Sequence, residues 1–209
     1  DLAGQPTREA PRPTRAALLE ALPTIIGRIE QVPPAYSAKR VDGKRAYELA
    51  RAGAEVTLKP STVTVHRVEL SALALDPDGR VEEATMRVVC GGGTYVRSLA
   101  RDWARAAGSA AHLVALRRLA TGPFRVEDAT TLDALRNGDA ALRPALDALP
   151  GFPVQRLSDD ELAKIVRGID VPATVPGAWG ALVRGDRDDV LVALAERRAV
   201  AADAAAAEP

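Results

Sequence analysis

Residues 91–124 read GGGTYVRSLARDWARAAGSAAHLVALRRLATGPF, and the rest of the chain is best read outward from them. Three glycines ahead of a helix let backbone approach another group closely and leave N–H donors at the helix start. Tyr95 and Arg97 stand at that mouth, where a ligand would sit. A tight strand-to-helix turn accounts for the same glycines equally well. Val96, Leu99, Ala100, Trp103 and Ala107 fall on one helical face, which gives the helix a side to bury. Arg97, Arg101 and Arg105 recur every four residues on another face, and such a stripe is solvated by default. Gly108 closes the helix, and residues 112–119, bearing Arg117 and Arg118, read as a strand.

Upstream, residues 1–13 form a polar, Pro/Gly-rich lead-in. Thr14 is placed to cap a helix over 14–22 that Pro23 stops. A strand over 25–32 ends at Pro33-Pro34, and a loop leads to a helix over 45–52 terminated by Gly53. Val63 and Val65 then alternate with polar residues before the apolar phase shifts to Val68, Leu70 and Leu73. That shift predicts a bulge near Arg67. Asp76-Pro-Asp-Gly-Arg makes a hairpin turn, and residues 85–90 alternate back toward the glycines.

Downstream, short helices are expected over 132–136 and 141–148. Pro150, Gly151 and Pro153 mark a boundary. Ser158-Asp-Asp-Glu161 is a capping box for a helix to Arg167, closed by Gly168. Strands over 181–184 and 190–195 flank an Asp/Arg-rich turn and form a small β-rich module. The low-complexity tail over 199–209 is expected to be disordered. The expected fold class is α+β, a mixed or antiparallel sheet with flanking helices. The domains are expected at 1–149 and 150–198, followed by the tail.

The 209 residues carry no net charge, but the zero conceals a split. Residues 1–126 hold 19 Lys/Arg against 13 Asp/Glu, and residues 127–209 hold 9 against 15. A basic front and an acidic back point to a localised surface for a polyanion. No apolar run is long enough to cross a bilayer. The single cysteine, Cys90, excludes an internal disulfide and reads as a small buried hydrophobe, which fits a reducing cytoplasm. One cysteine and two histidines leave no cluster for structural zinc. No nucleophile–base pair stands out: His66 reads as a strand-surface residue, and His112 as structural or adjacent to RNA.

What remains are recognition groups. One cluster comprises Tyr36, Lys39, Arg40, Lys44, Arg45 and Arg51; the other, Tyr95, Arg97, Arg101, Arg105, Arg117, Arg118 and Arg125. Aromatic rings beside arginines suit stacking on an unpaired base and gripping its flanking phosphates.

Three motifs, QVPPAYSAKRVDGKRAYELARAG (31–53), GTYVRSLARD (93–102) and HLVALRRLATGPF (112–124), closely resemble in order and spacing the TruB family of bacterial tRNA pseudouridine-55 synthases. The resemblance runs from about Gly27 to Phe124. Weaker similarity extends to about Arg198, where the family has a small PUA-like RNA-binding module. It implies isomerisation of a uridine in the TΨC loop of tRNA, flipped out of its stack, by an aspartate nucleophile without metal or organic cofactor. It makes Tyr95 a pocket residue against the uracil and Leu116 an apolar wall of that pocket. Arg97 becomes the catalytic-site arginine that pairs with the aspartate. Tyr36, Arg40, Lys44, Arg45, Arg51, Arg101, His112, Arg117 and Arg118 become contacts to tRNA. The partner expected is the TΨC stem-loop, with no membrane, and the protein a cytoplasmic monomer.

Two departures stand out. Lys39-Arg40 replaces the family's more usual apolar residue and lysine. The family's Gly/Thr-Leu-Asp-Pro motif, which carries the aspartate, does not occur in residues 1–209, and Asp1-Leu-Ala-Gly resembles a segment that follows it. The resemblance thus implies the C-terminal two-thirds of such an enzyme. In that case the chain is inactive alone, and Arg97 stands without its partner, a costly state for a buried guanidinium. A non-catalytic tRNA-binding or RNA-folding module is the alternative. A guide-RNA-dependent relative of the archaeal and eukaryotic type is the less favoured third reading.

Overall fold

The computed structural model describes residues 5–41, 43–185 and 189–198. The fold is α+β, with sheets that are mainly antiparallel. It divides into two units, residues 1–116 and 117–209.

In the first unit, helix α1 (Arg15–Ala21) starts where Thr14 Oγ1 accepts the Ala17 N–H at 3.1 Å. Pro23 turns the chain into a 3-10 segment, Leu22–Ile25, rather than ending helical structure outright. Strand β1 (Gly27–Gln31) is an edge. A small ladder, β2 (Arg40–Val41) with β3 (Lys44–Arg45), leads into helix α2 (Ala46–Arg51). The long strands β4 (Ser61–Leu75) and β5 (Val81–Cys90) complete an antiparallel sheet in the order β1-β4-β5. The register shifts between Val65 and Arg67, as the change of apolar phase predicts. One extra residue there keeps Val63, Val65 and Val68 all buried.

Helix α3 (Val96–Ala106) lays Leu99 and Trp103 into a core with Leu18, Ala21, Ile25, Val65, Val68 and Val81. Trp103 Nε1 donates to the Leu18 carbonyl at 2.9 Å, so the indole buries without an orphaned donor.

The lead-in segment is anchored at the hairpin tip. Asp76 Oδ1 accepts the N–H groups of Asp78 and Arg80 at 3.1 and 2.8 Å. Arg12 donates to Asp76 at 2.9 Å and to Glu82 at 2.5 Å. The Arg12 guanidinium, helped by the Arg80 N–H, holds the Asp76 carboxyl below its ordinary 3.8.

Residues 112–119 correct the sequence expectation: they form no strand. A strand exists only where a neighbouring edge takes up its backbone groups, and no described strand pairs with this run. Val114 and Leu116 lie 52% and 66% exposed on irregular backbone.

The second unit opens with a two-residue ladder, β6 (Ala120–Thr121) against β7 (Phe124–Arg125). Helix α4 (Leu132–Asn137) is capped by Thr131 and ended by left-handed Gly138. The helix expected over 141–148 reduces to a 3-10 turn, Ala145–Ala148, and that turn packs on the C-terminal sheet. This sheet has the order β10-β9-β8. Strand β8 (Val154–Arg156), which sequence reading misses, runs parallel to β9 (Trp179–Arg184), and β10 (Val190–Glu196) is antiparallel to it. Helix α5 (Asp159–Val166) carries the expected capping box, with Ser158 N donating to Glu161 Oε2 at 2.8 Å. The expected boundary at 149/150 falls inside this unit. The tail and the middle of the Asp/Arg-rich turn lie outside the described residues.

Two outcomes are expected. Leu99 is fully buried, so Leu99→Ala should cost about 2–5 kcal/mol in urea unfolding. The folded state holds the Asp76 proton less tightly than the unfolded chain. Its contribution is therefore complete above pH 3.8 and is lost as pH falls through the depressed value. Thermal midpoints measured from pH 6 downward should fall less steeply for Asp76→Asn than for the parent, from a lower start.

Candidate functional site

The glycine run at the end of β5 is a tight turn. Gly91 N donates to the Thr64 carbonyl at 2.8 Å, Thr94 Oγ1 donates to the Gly91 carbonyl at 2.9 Å, and Gly93 is left-handed at φ +79°. The turn delivers Tyr95 to the N-cap of α3 in extended backbone, with no side-chain cap of its own.

Gln31, at the end of β1, holds Tyr95 in place. Its Oε1 accepts the Tyr95 N–H at 2.8 Å, and its Nε2 donates to the Tyr95 carbonyl at 3.2 Å. Gln31 is 1% exposed, so this pairing satisfies an amide that burial would otherwise penalise. Sequence reading missed Gln31. The available signal was a polar residue in phase with Gly27 and Ile29 on the inner side of β1. Gln155 in β8 repeats the device, donating to the Pro172 carbonyl and accepting from Thr174 N, both at 2.9 Å.

The next turn of α3 reaches the same stretch. Arg97 Nη2 donates to the Tyr36 carbonyl at 2.8 Å. Arg97 is half-buried and not unpaired, since a backbone carbonyl accepts from its guanidinium. Ser98 Oγ and Arg101 Nη2 both donate to the Val32 carbonyl at 2.9 Å. Arg101 is thus not merely a solvated member of a stripe; Arg105, a turn later, is exposed.

The structure brings Tyr36, Tyr95, Arg97 and Arg101 together through these bonds. The Tyr36 residue is 56% exposed. Beyond it, β2 and β3 set Arg40 directly opposite Arg45, and Lys44 opposite Val41. All three cations are exposed, and no ion pair among the described residues neutralises them. Like charges opposed across a ladder repel, so the hairpin is improved by an anion. Arg51 lies over the Tyr47 ring at 5.4 Å on α2. Elsewhere, His112 and Leu116 are exposed near the end of the first unit, and Arg117 and Arg118 are exposed where the second begins.

Two open concavities of about 360 and 330 Å³ lie in the second unit. The first is lined by residues that include Arg156, Leu162 and Arg184, the second by residues that include Leu142 and Leu191. Neither contains a residue that the sequence singles out. Among the described residues no three His, Cys, Asp or Glu side chains gather to hold a metal ion. No helix among them is long and apolar enough to cross a membrane.

Residues 1–96 match the TruB family pseudouridylate synthase N-terminal domain, and residues 97–150 match the tRNA pseudouridylate synthase B C-terminal domain. Proteins named tRNA pseudouridine synthase B are similar over most of the chain. The one from Bradyrhizobium diazoefficiens is 41% identical over 88% of this chain and 56% of its own length. Those from Thermobifida fusca and Solibacter usitatus are 40% and 44% identical, over 91% and 83% of this chain and 65% and 60% of their own lengths. The chain belongs to the TruB family of pseudouridylate synthases. It spans a little over half to two-thirds of the length of these relatives.

Two solved structures share the fold. A Cbf5-Nop10-Gar1 complex superposes with a TM-score of 0.60 at 23% identity, over 90% of this chain and 57% of that one. An H/ACA RNP bound to a substrate RNA containing 2'-deoxyuridine gives 0.61 at 19%, over 93% and 58%.

The Gln31 clamp is expected to be costly to remove. Gln31→Ala leaves the Tyr95 N–H without its acceptor and should destabilise the chain by about 1–3 kcal/mol in urea unfolding. Ser37 Oγ, by contrast, is buried with no hydrogen-bond partner among the described residues. Ser37→Ala should leave stability unchanged or raise it by up to about 1 kcal/mol in the same measurement.

Proposed function

We propose that this chain serves a tRNA pseudouridine synthase that isomerises uridine-55 of the TΨC loop. In that reaction the C1′–N1 bond breaks and a C1′–C5 bond forms. The C5 proton is lost and N1 gains one, so nothing is oxidised or reduced and no electron carrier is required. The protein must extrude the base, orient it and stabilise the detached ring. Aromatic and guanidinium groups on a fixed backbone suit that work.

In this reading Tyr95 packs against the uracil, and Leu116 supplies an apolar contact to it. Arg97 holds the reacting carboxylate ionised and oriented. Tyr36, Arg40, Lys44, Arg45 and Arg51 grip the loop and its phosphates, with His112, Arg117 and Arg118 adding further contacts. The small C-terminal sheet serves as a further RNA-binding module. No carboxylate of residues 1–209 lies in the family's Gly/Thr-Leu-Asp-Pro motif, so none is assigned the nucleophile's role. The observation that supports the reading is the meeting of the two family matches at 96/97, where Gln31 holds the Tyr95 backbone and Arg97 donates to the Tyr36 carbonyl.

Binding of an unmodified TΨC stem-loop should weaken steeply with salt, because each phosphate contact releases counterions. Neutralising Arg117 and Arg118 together should make the plot of log K against log salt shallower by about 1–2. An unchanged slope removes them from the interface. Nucleoside analysis of the treated RNA should show no pseudouridine from residues 1–209 alone. Pseudouridine there contradicts the assignment of roles, and absence of RNA binding contradicts the function itself.

A further inference from the structure

Pro33 and Pro34 have no N–H groups, so the backbone from Val32 to Tyr36 lacks two of the donors with which strands pair. Its carbonyls must be satisfied from elsewhere. Val32 O accepts from Ser98 Oγ and Arg101 Nη2, and Tyr36 O accepts from Arg97 Nη2, all at 2.8–2.9 Å. The donors sit within one turn of α3, and Ser98 is 1% exposed.

Arg101 is itself oriented before it reaches Val32. Its Nε donates to Asp102 Oδ1 at 2.7 Å and its Nη2 to Asp102 Oδ2 at 2.9 Å, a two-point fork that fixes the guanidinium plane. With Nη2 shared between Asp102 and Val32, only Nη1 is left uncommitted by these bonds.

The linkage continues downstream. Ser37 O accepts from Tyr47 N at 3.1 Å, and Lys39 O from Ala46 N at 2.8 Å. Hydrogen bonds along the backbone of residues 32–39 therefore tie it to α3 at one end and to the start of α2 at the other.

We propose that Arg101, supported by Ser98 and Asp102, is a positioning residue that sets the placement of Tyr36 and the cationic hairpin rather than itself gripping phosphate. The positioning stands on these contacts alone. Its consequence for RNA rests on the proposed function.

The test compares Arg101→Met, Arg101→Lys and Ser98→Ala in the whole chain by hydrogen exchange and by stem-loop binding across a salt series. Arg101→Met should speed exchange at the Ala46 and Tyr47 amides about tenfold. Amides of the β4–β5 ladder, such as Val68 and Val88, should remain as protected as in the parent, which shows that the fold persists. Ser98→Ala should act in the same direction without altering charge. Arg101→Lys should recover part of the protection, since lysine reaches a carbonyl but lacks the fork. RNA affinity should fall in Arg101→Met with the salt slope unchanged.

Unchanged exchange at Ala46 and Tyr47 in both Arg101→Met and Ser98→Ala overturns the proposal. So does a salt slope shallower by about one in Arg101→Met, because that marks a direct phosphate contact. If the parent binds no RNA, the functional reading fails and the exchange data alone decide the positioning.

Discussion

A diproline places carbonyls in the chain without the amides that would let that stretch knit into a sheet, and the first unit is organised around meeting that demand. The acceptors at Val32 and Tyr36 are satisfied by side chains of α3 that lie 61 to 69 residues away in sequence. The Gln31 amide adds a two-way tie to the Tyr95 backbone. The joint effect is to bring an exposed tyrosine, a second tyrosine at a helix cap and an arginine into one frame. Any account of recognition at this surface depends on that frame being held.

The core makes the frame possible. Leu99 and Trp103 occupy the face of α3 opposite its polar contacts and pack against α1 and the inner side of β4. That packing fixes the rotation of the helix, so Arg97, Ser98 and Arg101 have only the diproline side to serve. The bulge between Val65 and Arg67 contributes at a distance, since without it Val68 leaves the core. Stability and site geometry therefore have common causes here. The basic hairpin is different: it is short, solvent-exposed and set with opposed cations, and its arrangement is favoured by a polyanion rather than by the protein interior.

Much of this was legible in the residues, and the failures have physical reasons. Thr14, the Ser158–Glu161 box and the glycines at 53, 108 and 168 announce helix ends because capping is local chemistry. The change of apolar phase after Val65 announces the bulge because side-chain alternation reports directly on which face is buried. Residues 112–119 have strand composition yet form none, because pairing depends on a neighbouring edge that composition does not encode. Strand β8 is three residues long, too short to show a period. The arginine stripe was visible, but its use was not. A four-residue spacing serves water, phosphate or a carbonyl equally well, and only the tertiary fold brings Val32 and Tyr36 within reach. The motifs at 31–53 and 93–102 pointed to the TruB family, to which the chain belongs. The hydrogen bonds joining those two motifs became visible only in three dimensions.

The central proposal is that Tyr95, on the frame that α3 holds, faces the substrate uridine while Tyr36 grips the loop around it. It is tested most directly by photo-cross-linking an unmodified TΨC stem-loop that carries 4-thiouridine at the target position. The account predicts that the main cross-linked peptides contain Tyr36 or Tyr95. A cross-link confined to peptides of the second unit, with none at either tyrosine, would contradict it.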